Sequence, residues 1–82
     1  MAGGVLTLYS RPGCHLCDEM LSVVRSLARQ LAWTVEEVDI SRDAALETEF
    51  GTEIPVLMVN GRKAFKYRVG ERELRRRLDR EV

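Results

Sequence analysis

The chain has 82 residues, of which 45% are hydrophobic and 32% charged, and its 13 basic and 13 acidic side chains leave no formal net charge. This composition is typical of a soluble globular protein and excludes a disordered chain, so we expect one domain over residues 1–82. Without a net charge, no whole-protein field attracts a nucleic acid or a membrane surface, and we expect neither as a partner.

The start of the chain shows no targeting pattern. Met1-Ala-Gly-Gly4 precedes an apolar stretch of about five residues, with no basic segment and no small-residue cleavage site around it. We therefore expect a cytoplasmic protein. In the cytoplasm thiols are kept reduced, and a disulfide there is usually transient and catalytic.

The first predicted elements are a strand and a long helix. Val5–Tyr9 is rich in apolar and β-branched residues, which indicates a buried strand, and a loop over 10–13 follows it. Apolar residues then recur at helical spacing, so a helix is predicted to begin near Cys14 or Leu16 and to end near Gln30. The residues predicted on its inner face are Met20, Leu21, Val24, Leu27, Ala28 and Leu31.

A second strand and a short helix come next. The strand is predicted over Trp33–Ile40, with a bulge or burial on both faces near its middle, because its apolar residues change parity there. Ser41 or Asp43 can cap a helix over Ala44–Phe50, and Gly51 suits the C′ position after it.

The last third of the chain predicts a hairpin and a final helix. Ile54–Val59 and Ala64–Val69 are predicted strands, and Asn60-Gly61 between them is a strong signal for a tight hairpin turn. Gly70 ends the hairpin, and Glu71–Arg80 is predicted as a helix with its two leucines facing inward. The arginines of this helix alternate with acidic residues, which is typical of a solvated face rather than a nucleic-acid surface.

The order of elements is therefore β-α-β-α-β-β-α. Strands separated by helices become parallel neighbours through right-handed crossovers, whereas the hairpin adds an antiparallel pair. The predicted fold class is α/β, with one mixed four-stranded sheet and helices on both of its faces.

The two cysteines of the chain, Cys14 and Cys17, lie where the first strand gives way to the helix. A disulfide stabilises by closing a loop of the unfolded chain, and so short a loop yields almost no benefit. The pair is therefore predicted to react. The helix N-terminus favours a thiolate at Cys14, which is predicted to attack, while the better shielded Cys17 resolves the mixed disulfide.

Three neighbours are candidates for tuning this pair and for contacting substrate. Arg11 supplies a positive charge near Cys14, or else it is a solvated charge. Pro12 shapes the loop and leaves Cys14 uncrowded. His15 titrates near neutrality and is predicted to tune the thiolate, the alternative being an exposed residue with little effect.

A Cys-x-x-Cys pair also occurs as half of a zinc site, so metal binding is an alternative. A structural zinc takes four protein ligands, and this chain offers at most Cys14, His15 and Cys17 together. We therefore predict no metal ligands within the chain. A metal-carrying or cluster-carrying module would need ligands from a second subunit or from outside thiols, and an interaction domain without turnover is a third alternative.

The segment Leu8-Tyr-Ser-Arg-Pro-Gly-Cys-His-Leu-Cys17 resembles the active-site segment of glutaredoxins, within the thioredoxin superfamily. Glu36–Ile40 is similar to the second strand of that family, and Ile54-Pro55 is similar to its cis-proline element. The resemblance implies a thioredoxin-like fold and a thiol–disulfide oxidoreductase. It also implies that Pro55 is a cis proline facing the thiols, which leaves the backbone of Ile54 free to pair with an extended substrate segment.

The region expected to hold glutathione departs from the glutaredoxin pattern. Glutathione-using glutaredoxins carry a Gly-Gly-x-Asp type segment after the hairpin, whereas Arg68–Glu73 has one glycine and no aspartate. Val69 and Gly70 are closer to the thioredoxin pattern, and they are placed in the predicted substrate site. Many glutaredoxins also have a basic residue before the cis-proline strand, where this chain has Thr52 and Glu53. Glu53 would repel the glycyl carboxylate of glutathione.

The expected partners follow from this chemistry. The sequence has no phosphate-binding glycine loop, so we expect no tightly bound cofactor. The expected substrates are disulfide-containing proteins or glutathione mixed disulfides. Thioredoxin reductase or glutathione is the expected electron donor, and the protein is expected to be a monomer.

Overall fold

A computed structural model of the chain describes residues 3–81, so the prediction made for the first residues, Met1 and Ala2, lies outside the described part. The elements follow the predicted order, with one additional 3₁₀ turn over Ile40–Arg42. The strands are β1 (Val5–Ser10), β2 (Thr34–Asp39), β3 (Val56–Val59) and β4 (Arg62–Lys66), and the helices are α1 (His15–Leu31), α2 (Ala44–Phe50) and α3 (Glu71–Asp79).

The four strands form one mixed sheet in the order β2-β1-β3-β4. β1 and β2 are parallel and joined through α1, whereas β3 is antiparallel to both β1 and β4. This arrangement confirms the predicted sheet. It also brings the C-terminal end of β1 and the start of β3 to the same end of the sheet, because Tyr9 pairs with Val56.

Apolar side chains form two cores, one on each face of the sheet. The larger core joins the sheet to α1 and α3, and the smaller one joins it to α2. Leu21 and Leu31, predicted on the inner face of α1, are only partly buried against the larger core. Within residues 3–81, no helix is long and apolar enough to cross a membrane. The fully or nearly fully buried members of the larger core are Leu6, Leu8, Met20, Val24, Leu27, Ala28, Leu57, Val59, Val69, Leu74 and Leu78.

Of the two alternatives predicted for the second strand, the bulge is wrong, because β2 pairs with β1 along its whole length without a shift in register. The alternative, burial on both faces, is confirmed: Val35 packs against the larger core, whereas Ile40, just after β2, lies in the smaller one. The irregularity of the sheet lies instead in the hairpin, where the register shifts between Leu57 and Met58.

The strands of the hairpin begin and end at other residues than predicted. β3 begins at Val56 rather than Ile54, because Pro55 has no N–H to contribute to the ladder. Asn60 and Gly61 both have positive φ, 50° and 84°, and form the predicted two-residue turn. Pairing therefore starts directly after the turn. β4 spans Arg62–Lys66 and not the predicted Ala64–Val69.

Gly51 terminates α2, although not in the conformation that favours glycine at the C′ position. Its φ of −55° lies in the right-handed helical region, which any residue can adopt. The position excludes a side chain for a different reason, since a Cβ atom there would collide with the backbone oxygen of Glu47. Close approach, and not left-handed geometry, explains this glycine.

Asp43 is the N-cap of α2, as one of the two predicted alternatives. Its Oδ1 accepts hydrogen bonds from the backbone N–H groups of Ala45 (2.9 Å) and Leu46 (3.3 Å). We expect Asp43→Ala to lower the free energy of unfolding by about 1 kcal/mol, measured by urea denaturation. Asp43→Asn keeps an acceptor oxygen and should lose much less. Equal losses in the two variants would contradict the capping role.

Candidate active site

The two cysteines lie at the junction of β1 and α1. Gly13, with a φ of 79°, turns the chain in the loop after β1, a conformation that a residue with a side chain rarely adopts. Cys14 is the N-cap of α1, and Cys17 lies within its first turn. The two residues form a disulfide, with their Cα atoms 5.2 Å apart.

The two cysteine residues differ in exposure, as predicted. Cys17 is only 2% exposed, whereas Cys14 is partly exposed at the end of the helix. The backbone N–H of Cys17 donates a hydrogen bond to Sγ of Cys14 at 3.1 Å. An N–H group and the positive end of the helix dipole thus both point at this sulfur. Both stabilise a thiolate there once the disulfide is reduced.

The two basic neighbours of the cysteines, Arg11 and His15, each contact a carboxylate. The Arg11 guanidinium forms an ion pair with Glu47 of α2 and lies 3.4 Å from the backbone oxygen of Gly51. Nε2 of His15 lies 2.9 Å from the carboxylate of Glu19, one turn further along α1, and its side chain is 86% exposed. The side chains of Arg11 and His15 are therefore each held by a carboxylate of a helix, Glu47 of α2 and Glu19 of α1.

The Ile54–Pro55 peptide bond is cis, as the resemblance implied, and Pro55 is fully buried. Because Val56 pairs with Tyr9, Pro55 lies at the end of the sheet where the cysteine loop begins. The backbone oxygen of Pro55 accepts a hydrogen bond from the N–H of Tyr67 at 2.8 Å. This bond ties the segment after β4 to the proline.

That segment forms one wall of a groove along α1, which we call the Val69 groove, with a volume of about 280 Å³. Val69 itself is largely buried in the core, whereas Gly70 and Tyr67 are exposed. The groove is therefore formed by predicted substrate residues and by several that the sequence did not single out. Its lining residues are Leu16, Glu19, Met20, Val23, Tyr67, Arg68, Val69 and Gly70.

A second cavity of about 290 Å³ lies on the other side of the cysteines, between α1 and β2. We call it the Cys17 pocket. Of the predicted substrate residues, Arg11 and Pro12 line this pocket and Val69 and Gly70 line the Val69 groove, whereas His15, Ile54 and Pro55 line neither. Glu37 and Asp39 were not predicted here, because only the pairing of β1 with β2 brings them beside Cys17. The lining residues are Ser10, Arg11, Pro12, Cys17, Asp18, Glu37 and Asp39.

Two carboxylates near the site have perturbed acidity. Hydrogen bonds from the hydroxyl and the N–H of Ser41 hold the pKa of Asp39 below its usual value. A hydrogen bond from Lys63, at 2.6 Å, does the same for the pKa of Glu53. Lys63 thus places a positive charge next to Glu53, which the order of residues in the sequence did not reveal. The predicted repulsion of a substrate carboxylate by Glu53 is correspondingly weakened.

Within the described range, 3–81, no three histidine, cysteine, aspartate or glutamate side chains converge as they would around a metal ion. Of the residues considered for such a site, Cys14 and Cys17 are joined in a disulfide, and Nε2 of His15 lies against the carboxylate of Glu19.

Comparison with known proteins gives a family match over nearly the whole chain. A family profile described as "Glutaredoxin-like domain (DUF836)" matches residues 5–79. A curated glutaredoxin-like protein from Dictyostelium discoideum is 27% identical over 75 residues, which cover 84% of this chain and 69% of the relative.

Solved structures show the same architecture. A protein from X. campestris is 40% identical, with a TM-score of 0.74, and the match covers 94% of this chain and 99% of the other. A thioredoxin from Halobacterium salinarum is 25% identical, with a TM-score of 0.68, and the match covers 94% of this chain and 73% of the thioredoxin. The fold is therefore the thioredoxin fold, with a Cys-x-x-Cys pair at the start of its first helix.

Proposed function

Because the chain belongs to the glutaredoxin-like domain family, we propose that it is a small dithiol–disulfide oxidoreductase that reduces protein or glutathione mixed disulfides. The observation that carries this proposal is the asymmetry of the cysteine pair. Cys14 is partly exposed at a helix N-terminus, and Cys17 is buried within bonding distance of it. A substrate disulfide can therefore contact Cys14, whereas Cys17 is available only for the exchange with Cys14.

The proposed reaction has two exchanges. The Cys14 thiolate attacks one sulfur of the substrate disulfide and expels the first substrate thiolate. Cys17 then attacks the Sγ of Cys14 in the mixed disulfide, expels the second substrate thiolate and closes the Cys14–Cys17 bridge. Two electrons pass from the dithiol to the substrate, and an external donor returns the pair to its reduced form.

Two features support an extended protein segment as substrate. The cis Ile54–Pro55 element lies just before β3, at the end of the sheet where the cysteine loop begins, and the backbone of Ile54 is proposed to pair there with an incoming extended segment. The Val69 groove adds apolar walls from Leu16 and Tyr67 next to the charges of Glu19 and Arg68. Side chains that flank the target disulfide are proposed to bind in this groove.

The electron donor is proposed to be thioredoxin reductase or glutathione. Val69-Gly70 is closer to the thioredoxin pattern and favours thioredoxin reductase as the donor. The hydrogen bond from Lys63 to Glu53 weakens the repulsion expected between Glu53 and the glycyl carboxylate of glutathione, which favours glutathione. The protein is proposed to act as a cytoplasmic monomer without a tightly bound cofactor.

The activity is tested with two peptides, one containing an internal disulfide and one carrying a glutathione mixed disulfide, with dithiothreitol as a direct donor. We expect multiple turnovers on at least one peptide, measured as released thiol. In parallel, the oxidised protein is offered thioredoxin reductase with NADPH, or glutathione with its reductase, and NADPH consumption identifies the donor. No turnover on either peptide with dithiothreitol would contradict the proposed function, whichever donor is physiological.

A further inference from the structure

The second exchange requires a proton acceptor for Cys17. Only a thiolate attacks a disulfide, so the Cys17 thiol must lose its proton before it can displace the substrate. Cys17 is 2% exposed and therefore has little direct access to bulk water. Burial in low dielectric also disfavours the charged thiolate. A base next to Cys17 would remove this obstacle.

The Cys17 pocket contains such bases. Three of its lining residues, Asp18, Glu37 and Asp39, carry carboxylates, and the pocket is polar and large enough to hold water between them and the sulfur. Ser10, which is 5% exposed, donates a hydrogen bond from its hydroxyl to Oε2 of Glu37 at 3.3 Å. This bond holds the Glu37 carboxylate against the pocket.

The three carboxylates are not equivalent as proton acceptors. Asp39 accepts hydrogen bonds at Oδ1 from both the N–H (2.9 Å) and the hydroxyl (2.6 Å) of Ser41, which favour its ionised form and make it a weaker proton acceptor. Asp18 lies in the first turn of α1, where the helix dipole also favours the anion. Glu37 has the neutral hydroxyl of Ser10 as its hydrogen-bond donor.

Glu37 also provides a way out for the proton. It lies on β2, an edge strand of the sheet, and its side chain is 41% exposed. A proton taken from the buried thiol can therefore pass to solvent after each turnover. Its charged neighbours are the Arg25 guanidinium of α1 at 3.8 Å and the other pocket residues Asp18, Asp39 and Arg11.

We propose that Glu37, positioned by Ser10, accepts the proton of Cys17 in the resolving step. This inference rests on the proposed function. The Cys17 S–H bond breaks and the proton moves through pocket water to the Glu37 carboxylate. The resulting Cys17 thiolate attacks Sγ of Cys14, the disulfide to the substrate breaks, and the substrate leaves as a thiolate. Glu37 then releases its proton to solvent.

The step is isolated in a single-turnover experiment with reduced protein and dithiobis(nitrobenzoate). Attack by Cys14 releases one coloured thiolate, and resolution by Cys17 releases a second, so stopped-flow absorbance records the two steps as two phases. We expect Glu37→Gln to leave the first phase unchanged and to slow the second on the order of 100-fold near neutral pH. Glu37→Asp, which keeps a carboxylate, should recover part of the rate.

The matched control is Glu36→Gln, which removes the same charge from the adjacent residue on the opposite face of β2 and should change neither phase. The pH profile separates proton transfer from packing. As the pH rises past the pKa of a cysteine thiol, about 8.5 when unperturbed, the thiol ionises without help and the rates of Glu37→Gln and wild type should converge.

Two outcomes would overturn the inference: a second phase that Glu37→Gln leaves unchanged, or an equal slowing of both phases at every pH. A wild-type protein without a first phase would instead contradict the proposed function itself, because Cys14 would then not attack disulfides.

Discussion

Cys14→Ser is expected to abolish disulfide turnover, whereas Cys17→Ser is expected to stop it one step later. A serine hydroxyl is not ionised near neutral pH and forms no disulfide, so the first variant cannot begin the reaction. The second variant keeps the exposed sulfur of Cys14 and its position at the N-terminus of α1. It should therefore accumulate a mixed disulfide with the protein substrate.

The measurement is thiol release from the disulfide peptide together with the intact mass of each variant after the reaction. Before dithiothreitol is added, Cys17→Ser should gain the mass of one whole peptide, because the expelled thiolate of an internal disulfide stays on the same chain. It should lose this mass on treatment with dithiothreitol, and it can retain activity toward glutathionylated substrates. Cys14→Ser should gain no mass. Full turnover by Cys14→Ser would reverse the assignment of the two cysteines.

Leu57→Ala is expected to have the largest effect on stability. Leu57 is fully buried in β3, where it pairs with Leu8 on one side and Phe65 on the other. Truncation of a buried leucine costs about 2–5 kcal/mol, since it removes apolar contacts and leaves a cavity. A domain of this size is typically stable by only about 4–12 kcal/mol, so we expect a large drop in the midpoint of denaturant unfolding.

Leu57→Met serves as the control, because it conserves volume and should cost less than about 1.5 kcal/mol. The comparison is made by urea denaturation of the oxidised protein, which keeps the disulfide the same in all variants. A loss of less than about 1 kcal/mol in Leu57→Ala would show that the larger core does not depend on this side chain.

Much of the fold could be predicted from local patterns in the chain. The helical spacing of apolar residues after Cys14 identified α1, and the Asn60-Gly61 dipeptide identified the hairpin turn, because both signals depend on neighbours in sequence. The ends of the strands were less predictable. β4 begins directly after the turn and ends before Tyr67, whose φ of 70° interrupts the strand. Pairing with another strand decides such limits.

The position of the proposed reactive centre could also be predicted from the sequence. The spacing of Cys14 and Cys17 and the helix that follows them are local features, and they are sufficient to predict which sulfur is exposed. The surroundings of the centre were harder to predict. Arg11 was predicted either to act on Cys14 or to be a solvated charge, whereas its guanidinium pairs with Glu47, which is distant in sequence.

The contact between Ser10 and Glu37 shows most clearly what the sequence could not predict. In sequence they are 27 positions apart, and the sequence assigned a role to neither of them. They meet because β1 and β2 pair in parallel, with Leu8 opposite Glu37 and Ser10 opposite Asp39. A sequence-based argument could have found them only by fixing that register in advance.

The amino-acid sequence by itself determined the order of the elements and the position of the cysteine pair at the start of the first helix, and it led to the proposal that Cys14 attacks. These follow from hydrophobic periodicity, turn chemistry and the field at a helix N-terminus, all of which act over a few residues. The tertiary structure alone decided what surrounds Cys17 and where the charges of Arg11 and Glu53 are neutralised. Those contacts depend on strand register and on packing between distant segments, which short-range patterns do not encode.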